Sequence, residues 1–395
     1  MLNRLAAISP IEKVYLHLDR DNYVAGETAW FKAYLQSNYL PDTINTVLYV
    51  ELMNKSSVVL SRKILPVLLG VSNGQIEIPD SLPSGNYLIT AYTTTMLNSS
   101  ADFIYRKSVF IYGKKNEQPS ANTGKSVKLD FFPEGGNAVN DFSQVVAFKA
   151  ADSKGFPINI SGEIRKEGGQ KITGFSSFHD GMGIFDFTPH SGEKYYAVIN
   201  GKEEETFYLP PAVENGISLS VIPHPQGSFF EIKQKKEKAD FTAAYMIGQM
   251  QHQVVFKTVL VSGRDEMQGV IDTRKLNSGI LQLTVFNRNN IPLAERLVFV
   301  DNYNYLQPAE ITADTLNFST KGKNRFTIRL KDTVQGNFSV SVTDAGYSSF
   351  AARQENIVSS LLFTSDLKGY IHNPAWYFSA DNDSVKTSRD LVMMT

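Results

Sequence analysis

Histidines, carboxylates and tryptophans are the residues of this chain whose types could do chemistry, and their spacing decides what that chemistry would be. The six histidines stand at His17, His179, His190, His224, His252 and His372. No two are set as HxH or HExxH, the spacings that place two imidazoles on one metal ion. His179-Asp180, with Asp186 close behind, could form a partial metal site or an acid–base pair. Gly181 and Gly183 follow directly, so the run reads first as a hairpin turn whose glycines supply unusual φ. Glu134 lies in Pro133-Glu134-Gly135-Gly136. A catalytic carboxylate could sit there, but a carboxylate in a glycine turn more commonly caps it by accepting backbone N–H bonds. No GxSxG, Walker A or GxGxxG motif occurs, and Gly181-x-Gly183 precedes a strand rather than a helix, so no phosphate cradle is expected. Trp30 and Trp376, with Tyr34, Tyr39, Tyr92 and Tyr105, carry faces on which sugars stack. Trp30 reads rather as packing between sheets or domains. The charge run at 233–238 (KQKKEK) reads as a solvated hairpin, not a binding patch. The expectation is a chain without catalytic residues, metal site or cofactor.

Composition narrows the class further. Lys and Arg number 39 against 40 Asp and Glu, so nothing favours nucleic acid or an anionic membrane as partner. Apolar residues make up 42% of 395, enough for sizeable cores, and the length suits two to four domains because single cores rarely grow past about 250–300 residues. The 25 Phe and 18 Tyr suit strand-rich sandwiches. With no cysteine, disulfides, thiolate metal sites and a Cys nucleophile are excluded, while the compartment stays open. No apolar run reaches the 18 residues of a spanning helix, and the first 13 residues hold too short an apolar segment for a signal peptide.

The elements that must position these residues are strands. At 12–35, Val14, Leu16 and Leu18 alternate with Tyr15, His17 and Asp19, the period of a half-buried strand. Asp19-Arg20 orders the polar break that follows. Gly26 supplies a turn, and then Ala29, Phe31, Ala33 and Leu35 alternate with Trp30, Lys32 and Tyr34. Similar short runs with turn signals continue to residue 112, giving an immunoglobulin-like sandwich over 9–112. Residues 113–125 are polar and unperiodic, a linker. A second sandwich is expected at 126–211 and a third at 216–302. A partial fourth β-domain, 303–347, has strands at 325–330 and 337–343. A helical and irregular segment, 348–395, closes the chain. Its last residues, Leu391-Val392-Met393-Met394, carry no stop signal, which predicts a truncation. The fold class is therefore all-β, tandem immunoglobulin-like sandwiches with a short mixed tail.

Several of these stretches also carry a resemblance. The run VYLHLDRDNYVAGETAWFKAYL, 14–35, resembles the opening of the MG2 domain of α2-macroglobulin-type proteins, with Ala25 where that family often has Pro. It is most similar to the version found in large outer-membrane-associated proteins of Bacteroidetes, some of which continue into a TonB-receptor plug region. PSGNYLITAY, 83–92, falls where such a domain has its Gly-x-Tyr strand. FFPEGG, AFKAADSKGFPI and HDGMGIFDFTP, in that order, resemble the second β-domain of the same proteins, and SDLKGYIHNPAWYF, 365–378, resembles a segment that precedes further domains there. The resemblance implies macroglobulin-type sandwiches and a periplasmic or surface location in a Gram-negative envelope, with any signal peptide already removed. It also implies a non-enzymatic role as spacer and protein-interaction module at the outer membrane, within a TonB-dependent or secretion-associated assembly. Protein partners are expected, with no nucleic acid and no membrane span. Together with the reading of the residues above, the structural or interaction candidates are Asp19, Arg20, Gly26, Trp30, Glu134, Gly135, Gly136 and Trp376. Two alternatives remain at this stage: a glycan- or ligand-binding module, and a protease-entrapping macroglobulin-like protein. The second would work without the internal thioester of defensive macroglobulins, since there is no Cys to form one.

Overall fold

Alternating apolar residues make the strands, and paired apolar faces make the sandwiches. A computed structural model describes residues 10–115, 126–235, 239–261, 263–330, 336–343 and 354–395. The first sandwich comprises β1 (Glu12–Leu18), β2 (Asn22–Val24), β3 (Thr28–Ser37), β4 (Leu40–Pro41), β5 (Val47–Met53), β6 (Val59–Pro66), β7 (Val71–Glu77), β8 (Gly85–Tyr92) and β9 (Tyr105–Tyr112). One sheet is built on β1-β3-β7 with β4 at the end of β3, and the other runs β2-β9-β8-β5-β6. As the alternation requires, Ala29, Phe31, Ala33 and Leu35 are buried with Val14, Leu16 and Leu18.

The second sandwich holds β10 (Lys128–Pro133), β11 (Gln144–Ala151), β12 (Ser161–Lys166), β13 (Lys171–Ser176), β14 (Met182–Phe187), β15 (Tyr195–Ile199) and β16 (Lys202–Tyr208). Its sheets are β10-β11-β14 and β13-β12-β15-β16. The third holds β17 (Ile217–His224), β18 (Gly227–Gln234), β19 (Tyr245–Met250), β20 (Gln253–Val259), β21 (Glu266–Asp272), β22 (Gly279–Phe286) and β23 (Pro292–Val300), in sheets β17-β18-β21 and β20-β19-β22-β23. The two topologies are the same strand for strand. The first, second and fifth strands form one sheet, and the fourth, third, sixth and seventh form the other. The first sandwich follows the same plan with β2 and β4 added. This repetition of topology without repetition of sequence is what period-2 patterning produces, since it fixes which face is buried but not which apolar residue buries it.

Beyond the third sandwich, β24 (Ala309–Thr315) and β25 (Arg325–Leu330) form a two-stranded sheet. The stretch 337–343, expected as a strand, is not one. Asn337, Phe338 and Ser339 lie instead on the outer face of the first sandwich, where Lys32 Nζ donates to the Phe338 carbonyl at 2.9 Å and Tyr34 Oη to Ser339 Oγ at 2.7 Å. Side-chain donors hold this segment where a ladder would have held a strand. Of the expected linker and charge run, 116–125 and 236–238 lie outside the described residues.

The tail folds into α1 (Ile357–Leu362), short 3-10 turns and α2 (Asp383–Met394). Asn356 caps α1 in a capping box with Ser359, and Asn382 caps α2 by accepting from the Val385 N–H. Among the described residues no helix is long and apolar enough to cross a membrane.

Candidate functional site

The residues singled out from the sequence fall into two places. Asp19, Arg20 and Gly26 meet at one end of the first sandwich. Asp19 Oδ1 accepts from the Tyr23 hydroxyl at 2.8 Å and from the Trp30 backbone N–H at 3.0 Å. Arg20 reaches Glu27 at 3.4 Å, and Glu27 Oε2 accepts from the Val24 N–H at 2.8 Å. Gly26 has φ +91°, and its N–H donates to the Ile78 carbonyl. Tyr23 is wholly buried beneath this cluster, and burial beside Asp19 pushes its hydroxyl far above the usual tyrosine range. The arrangement fastens the β1–β3 crossover. Trp30 takes part through its backbone only. Its indole is 55% exposed on the outer face of β3, contrary to the expectation that it packs between sheets or domains. The reason is phase: Trp30 alternates with buried Ala29 and Phe31, so the pleat points it to solvent.

Glu134, Gly135 and Gly136 lie where the second sandwich, the third and the tail join, and Trp376 packs where the tail meets the second sandwich. Glu134 does not cap its own turn. Its Oε1 accepts from the Val221 N–H at 3.1 Å and from Arg296 Nε at 3.0 Å, both in the third sandwich. Val221 lies on β17, an edge strand whose outward backbone groups need partners. The turn supplies them a cover. Gly135 has φ +85°, and a Cβ there would stand 3.0 Å from the Leu219 backbone, so glycine is required for both conformation and approach. Its carbonyl accepts from the Glu295 N–H at 3.1 Å. Gly136, at φ +113°, completes the turn with open space beside it.

Arg296 links this turn to the tail. Its side chain is 2% exposed; beyond Glu134 it forks onto Asp390 of α2, Nη2 lying 3.0 and 2.9 Å from the two carboxylate oxygens. Burial holds the Asp390 carboxyl above its usual range, against the pull of the guanidinium. One turn of chemistry away, the order of charges reverses: Arg389 of α2 pairs with Asp301 just after β23 at 2.8 Å and lies over the Phe299 ring at 4.4 Å. Helix and strand thus exchange an acid and a base each. Such pairs add little over apolar packing once formed, but losing one partner strands the other in the interior.

An apolar cluster surrounds these charges and has contributors on every side. Phe363, Tyr377, Leu391, Val392 and Met393 of the tail pack with Ala147 and Met182 of the second sandwich and Ile280 of the third. Trp376 stacks on His179 with ring centroids 4.1 Å apart and 21° between planes. His179 opens a two-residue turn, Asp180-Gly181, both at positive φ. Burial holds its imidazole below the usual histidine range, with Asp180 opposing. The first sandwich is joined to the same tail. Lys13, 3% exposed, donates to the Leu361 carbonyl at 2.6 Å and to Asp366 at 2.5 Å, and Leu361 belongs to the first sandwich's core. Tyr39, in the β3–β4 turn, reaches the core of the third. Among the described residues, no group of three or more His, Cys, Asp or Glu is placed to hold a metal ion.

Sequence reading overlooked Lys13, Arg296, Asp301, Arg389 and Asp390. A signal was present for two of them. Arg296 falls in phase with Ala294 and Val300 on an inward strand face, and Arg389 lies four residues after buried Val385 on the apolar side of α2. A cation in an apolar phase needs a buried partner.

No family model matches the chain, and no curated protein does. Among solved structures it is similar to alpha-2-macroglobulin of Salmonella reacted with methylamine, at 10% identity and a TM-score of 0.22, over 78% of this chain and 24% of that one. It is also similar to Escherichia coli alpha-2-macroglobulin activated by porcine elastase, at 9% identity and TM-score 0.25, over 77% and 32%. The Escherichia coli adhesin FdeC matches at 12% identity and TM-score 0.20, over 74% of this chain and 98% of that one. The chain spans 24–32% of the length of these macroglobulins. The all-β class rests on the sheets of the chain itself.

Proposed function

We propose that this chain is a non-catalytic spacer and protein-interaction array of a bacterial cell envelope, built from macroglobulin-type sandwiches and working within a TonB-dependent or secretion-associated assembly at the outer membrane. The observation that carries the spacer reading is the junction. Buried Arg296 bridges buried Glu134 and half-buried Asp390, so the second sandwich, the third and the tail are bound to one guanidinium. The ionisable groups gathered there are engaged in holding elements together, which is the work of a scaffold. Balanced charge favours protein partners over nucleic acid. The envelope location and the assembly rest on the resemblance of 14–35, 131–189 and 365–378 to Bacteroidetes envelope proteins.

Fractionation of the source cells tests location: recovery with the periplasm or outer membrane supports the reading, and recovery with cytosol overturns it. Cross-linking in intact cells followed by mass spectrometry tests the assembly. Cross-links to a TonB-dependent receptor or a secretion component are expected; cross-links confined to cytoplasmic proteins would contradict it.

A further inference from the structure

A cavity of about 410 Å³ lies where the first sandwich, the third and the tail meet, within the size range of small-ligand sites. Its walls are chemically mixed. Phe103 and Met96 of the first sandwich give apolar surface; Glu12, Asp366, Gln249 and Gln282 give polar groups from all three parts. The turn that closes one side is Gln251-His252, between β19 and β20, with φ +46° and +62°. This is the two-residue hairpin geometry that Asn-Gly adopts at least cost. Two long side chains in left-handed backbone are strained, and strain of this kind collects at functional sites. Gln251 is also 8% exposed, and both its amide atoms lack a hydrogen-bond partner among the described residues, as does Gln249 Oε1. Orphaned amides beside a cavity call for a partner that enters it.

The lining selects the chemistry of that partner. Among the described residues no Lys or Arg lines the cavity, so no fixed cation is there to favour an anion. The two carboxylates already hold donors, Glu12 the Thr93 hydroxyl and Asp366 the Lys13 ammonium, each at 2.5 Å, so neither calls for a cation. What remains are the glutamine amides, the His252 ring and serine and threonine hydroxyls such as Ser99 and Ser100, neutral groups that both donate and accept, and hydroxyl groups match them because each is also both. We propose that this cavity binds a neutral, hydroxyl-rich ligand of the saccharide class, with Gln251 turning its amide onto ligand hydroxyls and Phe103 offering the apolar contact. The site is independent of the scaffold reading.

Saturation-transfer NMR and calorimetry on the full chain, with maltose, cellobiose, lactose and N,N′-diacetylchitobiose at millimolar concentration, test this. Saturable binding of at least one disaccharide is expected. Gln251→Asn shortens the amide's reach yet suits left-handed backbone, so the fold should melt no lower than wild type while affinity falls about tenfold. Phe103→Ala should weaken binding likewise, and Trp30→Ala, on a distant exposed face, should not. Absence of binding by all four sugars, or binding that Trp30→Ala abolishes and Gln251→Asn leaves intact, would overturn the proposal.

Discussion

The hairpins β17–β18 and β24–β25 are built on the same pattern and meet opposite fates. Each pairs antiparallel strands with apolar residues on one face. In β17–β18 that face, with Leu219, Val221, Phe230 and Ile232, is buried under the four-stranded sheet of the third sandwich. In β24–β25 the register sets Ile311 opposite Ile328 and Ala313 opposite Phe326, an apolar face of equal quality, yet Ile311 is 68% and Phe326 60% exposed. Alternation therefore specifies a strand and its inward face, but the roof is specified elsewhere. An uncovered two-stranded sheet is marginal in water, so the third sandwich should carry stability that the hairpin lacks.

The widest separation between the two is expected on removing one aromatic from each. Phe230→Ala should cost about 3–5 kcal/mol, the usual range for a buried phenylalanine, whereas Phe326→Ala should change stability by less than about 0.5 kcal/mol. Chemical denaturation of both variants reads the difference; equal losses would break the comparison. The third sandwich is also bolted to its neighbours by buried ion pairs, whereas among the described residues the hairpin shows no such pair. Arg296→Ala strands Glu134 and Asp390 and should cost about 3–5 kcal/mol at the junction, while Arg274→Ala, which removes an exposed pair with Asp272 in the same sandwich, should cost under about 1 kcal/mol. Hydrogen exchange in the Arg296 variant should accelerate at β17, whose Val221 N–H loses its ordered acceptor.

The smallest effect concerns pH. His179 has its imidazole held below the usual value of 6.5 by burial, so the folded state prefers it neutral. Stability from this site is complete above the unfolded value and is lost as pH falls through the lower folded value. In a Trp30→Phe variant, Trp376 is the single tryptophan, and its fluorescence should change with a midpoint below pH 6.5, Asp180, His372 and Tyr377 being the groups that face the ring pair. A midpoint at or above 6.5 would contradict the burial argument.

How far the sequence carried can be read from particular residues. Ala29, Phe31, Ala33 and Leu35 announced their strand and its buried face, and the glycines of 133–136 announced a turn. The target of Glu134 was not legible, because its partners Val221 and Arg296 lie 87 and 162 residues away. Trp30 misled because its size suggests burial while its phase dictates exposure. The segment 337–343 had strand-like alternation, but it lies against the outer face of the first sandwich, held by the donors of Lys32 and Tyr34. Pattern fixes local geometry, whereas contacts across units depend on surfaces that no single window contains.

One buried junction, Glu134 with Arg296 and Val221, holds the second and third sandwiches together. Because the chain has no cysteine, labels can be placed at will. Spin labels on Lys154→Cys in the second sandwich and Lys275→Cys in the third, both exposed, give their separation by double electron–electron resonance. A single narrow distance distribution is predicted, broadening when Arg296→Ala is added; a broad distribution in the parent, or an equally narrow one in the variant, would contradict the account.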